Sequence, residues 1–332
     1  MNRLLRFLLF CLLLPAAHAQ GYAGREDVQA FVAEMQARHG LDADVLAALF
    51  ARTEPLPAVL KAIAPPTDPR VKSWKNYRAR FIDKRRIVAG LDFWQRHAGT
   101  LAKAQALTGV PAEVIVAIVG IETFYGRHLG RFETFAALAT LAFDYPPRAD
   151  LFRRELEALL LLARDEGRAP DVYRGSYAGA IGLPQFLPSS IRAYAIDFDR
   201  SGAVDLVGSA EDAIGSVANF LKEHGWEEGG PVAVPVKVGP GNTAATLIDE
   251  GILPVRRPAE LADFGIAVPP RAPDAPVALI DLVTPDAATE YWLGYKNFYV
   301  ITRYNRSSFY AMAVFHFARE LAERHHRQES RR

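Results

Sequence analysis

Apolar residues first settle into helical spacing at Val28, Phe31, Val32 and Met35, which predicts a helix within 26–52 that Gly40 interrupts and Asp42 restarts as a cap. Five prolines within 54–70 predict a surface connection. Periodicity resumes over Tyr77 to Trp94, with Phe81, Ile87, Val88, Leu91 and Trp94 near one face. Pro111 suits the first turn of a helix over the almost wholly apolar stretch 114–126. Leu151 to Ala163 is amphipathic, and Pro188, Ser189 and Ser190 open another helix. Ser209 and Asp212 have the spacing of a capping box for a helix through Phe220. After Trp226 the pattern changes: 229–238 alternates like a strand, and 229–300 reads as a small β lobe ending in a strand at Asn297 to Thr302. Ser307 or Ser308 begins a terminal helix through Phe309, Met312, Phe315 and Phe317, and the charged tail from Arg324 should fray. The predicted fold is mostly α (α+β), divided into a helical lobe at 20–105, a core at 106–228, the β lobe at 229–300 and a C-terminal segment at 301–332.

The whole-chain numbers alter this picture little. With 332 residues, 50% hydrophobic and 23% charged, this is an ordinary globular composition, and a net charge of +1 gives no reason to expect nucleic-acid binding. The basic run from Arg78 to Arg86 is a candidate contact surface, although most such runs are solvated helix faces. The N-terminus adds information. Arg3 and Arg6 precede the short apolar run Phe7 to Leu14, and Ala17-His18-Ala19 is a small-x-small cleavage site, so residues 1–19 read as an export signal with Gln20 first in the mature chain. The one cysteine, Cys11, falls inside that run, which leaves a mature protein without disulfides, thiol nucleophile or thiolate metal site. Bulky Leu9 and Phe10 before it argue against lipid attachment.

Candidate chemistry gathers in three places. Glu122 is a lone carboxylate in a greasy helix, where burial raises a glutamate's pKa and suits it to donate a proton to a glycosidic oxygen. The alternative is a structural glutamate paired with Arg127 or Arg131. The segment Ser176 to Phe186 alternates small residues, so its backbone lies close to another surface; it is either a packed loop or a sugar site in which Ser176 and Gln185 hydrogen-bond and Phe186 stacks. The loop Asp197, Asp199, Ser201, Gly202, Ala203 has EF-hand spacing at positions one, three, five, six and seven, yet Gly208 stands where the bidentate glutamate belongs. The histidines lack metal-site spacing, and no phosphate loop or nucleophile elbow appears.

Taken together, Ile121-Glu122-Thr123 with Tyr125 and Gly126, the 176–190 segment, the run Asp212 to Asn219 and Arg303-Tyr304-Asn305 resemble the lytic murein transglycosylase B family, over roughly residues 25–322. The resemblance implies a lysozyme-like core and a peptidoglycan groove. It implies cleavage of the β-1,4 bond between N-acetylmuramic acid and N-acetylglucosamine without water, with Glu122 as acid and then as base on the muramoyl 6-hydroxyl. One carboxylate then suffices, whereas a hydrolase needs a second; Glu133 and Asp144, the nearest downstream, read as structural. The resemblance further assigns Arg148, Ser176, Gln185, Phe186, Asn219, Tyr304, Asn305 and Tyr310 to substrate. It departs from the family at Pro147, Leu151 and Phe220. In some members the metal loop closes on the residue corresponding to Asp212, which makes Asp197, Asp199, Ser201, Ala203 and Asp212 a candidate structural calcium site; Asp212 as a plain helix cap is the alternative. The implied protein is a monomeric periplasmic enzyme of a Gram-negative cell, without a catalytic cofactor, whose partners are glycan strands and other cell-wall enzymes. A hydrolytic muramidase on the same core and a noncatalytic peptidoglycan scaffold are the rival readings.

Overall fold

Short polar side chains start several of the helices. Asp42 accepts from the amides of Asp44 and Val45, Asp83 from Arg85 and Arg86, Ser209 from Asp212, and Ser307 from Tyr310. The computed structural model describes residues 21–65, 73–241 and 243–330, so the proposed export segment and Cys11 lie outside the described residues.

Six helices come first: α1 (Glu26–His39), α2 (Ala43–Ala51), α3 (Pro57–Ile63), α4 (Trp74–Phe81), α5 (Lys84–Arg96) and α6 (Ala98–Thr108). Then follow α7 (Ala112–Thr123), β1 (Phe132–Glu133), α8 (Thr134–Asp144), α9 (Ala149–Asp165), β2 (Arg174–Gly175), α10 (Pro188–Tyr194) and α11 (Ala210–Glu223). The β lobe comprises β3 (Ala233–Val238), α12 (Ala244–Asp249), β4 (Ile266–Ala267), β5 (Ala278–Leu282) and β6 (Glu290–Gly294), and α13 (Lys296–Tyr304) and α14 (Ser308–Glu329) return the chain to the core.

Helix α7 is central. Every residue from Val114 to Ile121 is buried, and α5, α6, α11 and α14 pack around it. A helix apolar on all sides has to be enclosed, so its composition alone places it in the middle. The four-stranded sheet has the order β4-β3-β6-β5, antiparallel throughout. Its period-two alternation serves two cores: Ala278, Ile280, Leu282 and Trp292 join the main cluster, while Leu279 and Leu293 join a smaller one with Leu247, Leu261 and Ile266.

Several expectations need correction. The proline-rich connection contains a helix, α3, because Pro57 occupies its first turn, where proline costs nothing. The periodic stretch from Tyr77 is two helices, broken at Ile82 and Asp83, and Val88 is 58% exposed while Phe93 takes the inner face. Asn297 to Thr302 is helical, not a strand. The Asn297 side chain accepts from Glu227 N and donates to the carbonyls of Glu227 and Gly230, pinning the start of α13 to a distant turn. The tail is not frayed at Arg324: α14 continues to Glu329, supported by the Glu320–Arg324 pair and by His325 stacked on Trp94 at 4.2 Å. Only half of the capping box forms, because the Asp212 carboxylate turns away from Ser209.

Candidate active site

Glu122 lies in the last turn of α7, where the helix stops abruptly. Phe124, Tyr125 and Gly126 all take left-handed backbone, with φ of 52°, 58° and 86°. Two consecutive non-glycine residues there carry strain that the surroundings must hold. Thr123 does part of this: its hydroxyl donates to Leu183 O (3.0 Å) and accepts from Gly126 N (3.0 Å), which stitches the helix end to the 176–186 segment.

The Glu122 carboxyl is half-buried and has one protein partner among the described residues. Tyr310, in the first turn of α14, donates its hydroxyl to Oε1 at 2.6 Å. Burial pushes the pKa of Glu122 up to about 7, and the Tyr310 hydrogen bond pulls the other way. Neither arginine of the structural alternative pairs with it: Arg127 lies 4.5 Å from the Phe124 ring and Arg131 6.0 Å from Phe132. Tyr304 stacks on Tyr310 at 6.3 Å and donates to Pro184 O at 2.5 Å. Burial, and then the Glu122 charge, raise the pKa of both tyrosines.

A third tyrosine shares this field. Tyr77 on α4 has its pKa pushed up to about 12 by burial and next by Glu122, and its hydroxyl has no protein partner among the described residues. Nothing local in the sequence singles it out. It is one aromatic among several on a helix face, and only the fold brings it opposite α14.

The 176–186 segment is a tight loop closed by backbone. Ser176 N donates to Ala180 O, the Ser176 hydroxyl accepts from Ala180 N, and Ile181 exchanges two hydrogen bonds with Phe186. A Cβ on Gly175 would stand 2.2 Å from Ala180 O, so glycine is required there. Gln185 sits at φ 50° and donates Nε2 to Leu129 O and Gly182 O, leaving Oε1 free of protein donors among the described residues. Phe186 is buried between Phe220 (5.5 Å) and Tyr304 (5.7 Å). With 2% of its surface exposed, Phe186 has little area on which a sugar could stack in this structure, and its ring packs beside Tyr304.

The other candidates form no hydrogen bond with Glu122 among the described residues. Asn219 donates to Tyr194 O at 3.0 Å. Arg148 is exposed in the 3₁₀ turn Pro146–Arg148, 5.9 Å from the Phe152 ring. Asn305 is exposed in the turn between α13 and α14. Asp144 is held by Arg25 (2.6 Å) and Tyr22 (3.0 Å), a structural role.

In the 197–212 loop, carboxylate oxygens of Asp197, Asp199 and Asp212 all lie within 4.8 Å of one another. Gly202 at φ 102° makes the sharp turn. Three converging carboxylates are a donor set that suits a hard cation. Ser201 turns its hydroxyl to Ala203 O at 3.2 Å.

A lone, poorly bonded glutamate in an apolar core helix, fronted by tyrosines, defines a lysozyme-like enzyme that cleaves glycan. The transglycosylase SLT domain model matches residues 23–319, and the chain belongs to that family. It is similar to membrane-bound lytic murein transglycosylase B of Escherichia coli (strain K12), at 38% identity over 312 residues, 91% of this chain and 84% of that protein. Among solved structures it is similar to the soluble lytic transglycosylase SltB1 from Pseudomonas aeruginosa (TM-score 0.82, 47% identity, covering 90% of this chain and 98% of that one). The Escherichia coli lytic transglycosylase Slt35 in complex with calcium matches with TM-score 0.79 and 36% identity, covering 94% and 98%. SltB3 from Pseudomonas aeruginosa in complex with NAG-anhNAM-pentapeptide matches with TM-score 0.74 and 31% identity, covering 90% and 79%. The protein is a peptidoglycan lytic transglycosylase.

Proposed function

We propose that Glu122 carries out both proton transfers of a water-free cleavage between N-acetylmuramic acid and N-acetylglucosamine. Tyr310 occupies Oε1, so Oε2 carries the proton. That proton goes to the glycosidic oxygen as the C1–O bond breaks and its electron pair leaves with the N-acetylglucosamine. The resulting carboxylate takes the proton of the muramoyl 6-hydroxyl, and O6 bonds to C1 to close a 1,6-anhydro ring. The observation that carries this is a glutamate whose pKa burial lifts to about 7, so that both protonation states are accessible at neutral pH. The anhydro ligand bound by SltB3 supports the same product here.

Ser176, Gln185 through its free Oε1, Tyr304 and Tyr77 are the groups we assign to hold sugar; tyrosine offers a ring face and a hydroxyl together. Arg148, Asn219 and Asn305 serve more distant substrate contacts, and Arg148 suits the carboxylates of a stem peptide. The lobes at 20–105, 106–228 and 229–300 surround this groove. Asp197, Asp199 and Asp212 hold a calcium ion, with Ser201 and the Ala203 carbonyl completing the loop, as the calcium complex of Slt35 suggests. Bound there, the ion neutralises the converging carboxylates and fixes the loop. The enzyme acts as a monomer in the periplasm.

Mass spectrometry of fragments released from purified peptidoglycan tests the chemistry. The protein should give products one water lighter than hydrolysis products, and Glu122→Gln should lower their yield at least ~10³-fold. Reducing-end products would make this a hydrolase. Unchanged release by Glu122→Gln would remove Glu122 from the chemistry.

A further inference from the structure

We propose that Arg86 is a positioning residue for the reaction: it clamps the cleft wall that carries Tyr77 to the helix end that carries Glu122. The inference rests on the assignment of Glu122 as the acid.

Arg86 leaves α5 beside the α4–α5 corner, and its side chain is 13% exposed. Its guanidinium reaches both walls. Nε donates to Gly120 O at 3.0 Å, two residues before Glu122. Nη1 donates to Arg80 O at 2.5 Å, at the end of α4, and to Asp83 Oδ2 at 3.2 Å. The planar cation also lies 4.8 Å from the ring of Phe124 and 5.5 Å from that of Phe81.

The Gly120 carbonyl already receives the amide of Phe124 (3.2 Å), so Arg86 caps the same C-terminal turn that the left-handed residues bend. A cation there also complements the negative end of α7. Phe124 and Tyr125 need surroundings that enforce positive φ, and the guanidinium over the Phe124 ring supplies such a restraint.

Helix α4 is held by hydrogen bonds at both ends. At its N-terminus, Trp74 N donates to Val283 O (2.8 Å) and Lys75 N to Thr284 Oγ1 (3.2 Å), tying it to the β lobe. At its C-terminus the tie to the catalytic helix is Arg86. Between these ends α4 lies on α14, with Tyr77 5.7 Å and Trp74 5.6 Å from the Phe309 ring, so the position of Tyr77 relative to Glu122 depends on that packing, on the β lobe and, on the side of the catalytic helix, on the Arg86 guanidinium. The groups facing Glu122 are Tyr77 from α4, Tyr304 at the end of α13 and Tyr310 on α14, with Arg80 acting on Tyr77. Loosening the clamp admits water to this enclosure. An error of about 1 Å in such a geometry costs on the order of 10²-fold in rate.

The test compares Arg86→Met and Arg86→Lys with the unmodified enzyme on soluble glycan fragments, measuring kcat, the half-saturating concentration, the pH profile and thermal stability. Arg86→Met should lower kcat ~30- to 100-fold with less than ~3-fold change in half-saturation. The alkaline limb of activity should move to lower pH as Glu122 becomes wetter. Arg86→Lys should recover only part of kcat, because it keeps the charge but loses the fork. A kcat within ~3-fold in both variants, or a loss that tracks the folded fraction with a fixed pH limb, would overturn the proposal. If Arg86→Met does not fold, Arg86→Lys and Phe124→Leu decide by the same readouts, and an unmoved limb in both overturns it. Glu122→Gln run in parallel separates the two ideas. If that variant is inactive while the Arg86 variants behave normally, only the clamp fails; if it is active, the acid assignment fails and the clamp with it.

Discussion

Glu122 and Asp212 are both carboxylates on helices of the main core, yet their surroundings are opposite. Asp212 is fully buried and receives three backbone amides, from Phe198 (2.7 Å), Asp199 (3.2 Å) and Asp205 (2.8 Å). Glu122 receives one phenol and keeps an opening to solvent. A carboxylate saturated by fixed donors serves the fold; a carboxylate left short of donors, as Glu122 is, is poised to exchange a proton. Burial without satisfaction is costly, and at Glu122 the chain bears that cost on an ionisable group.

Removing each charge should expose the contrast. Asp212→Asn places an amide against backbone donors and should cost about 2–4 kcal/mol across neutral pH. Glu122→Gln should do the reverse. The Glu122 pKa is raised from 4.5 in the unfolded chain to about 7. Its ionisation therefore costs no stability below 4.5, an increasing amount as pH rises toward 7, and the full amount above. Above pH 7 the glutamine variant should be more stable by about 3 kcal/mol, with no gain at pH 4. Urea denaturation at pH 4 and pH 8 measures both, and a destabilised Glu122→Gln at pH 8 would mean the carboxylate is better satisfied than its single hydrogen bond indicates.

The sequence revealed this contrast only in part. Glu122 stood out because α7 is apolar on every face, and Asp42 and Ser307 because caps act within a few residues. Long-range partners did not stand out. The aromatic and β-branched residues from Phe298 to Ile301 favour a strand locally, but Asn297 gripping the 227–230 turn makes them helical. Tyr77 carried no motif, since its role depends on α4 crossing opposite α14. Phe186 has the right chemistry for a sugar platform, and only the packing around it, which includes Phe220 and Tyr304, reveals that it is buried.

Tyr310→Phe sharpens the view of Glu122 as under-satisfied rather than unsatisfied. Tyr310 donates to the carboxylate and so holds the pKa below where burial alone would set it. Without that hydroxyl the acid should stay protonated to higher pH, and the alkaline limb of activity should move upward, opposite to the shift expected for Arg86→Met. The base step should suffer, since the anion loses its one protein donor among the described residues, and kcat should fall ~30-fold, equivalent to about 2 kcal/mol. A pH–rate profile decides; a limb that moves down would show that the hydroxyl is not the counterweight to burial.

Calcium removal tests the other side of the comparison with a smaller effect. Asp212 already has its amides, so an ion adds mainly by relieving repulsion among Asp197, Asp199 and Asp212. Asp197 and Asp199 also accept from the amides of Ser201 and Gly202, so the loop has internal support without the ion. The missing twelfth-position glutamate limits affinity, and a site of this kind belongs near the weak end, with Kd of order 10⁻⁴ M. At ten times Kd the ion contributes only ~1.4 kcal/mol. Adding 1 mM calcium to chelator-treated protein should therefore raise the unfolding temperature by a few degrees, and Asp199→Ala should abolish that rise while leaving kcat nearly unchanged. A large calcium dependence of kcat would instead couple the loop to the groove and end the division between a carboxylate that builds the fold and the one proposed to do the chemistry.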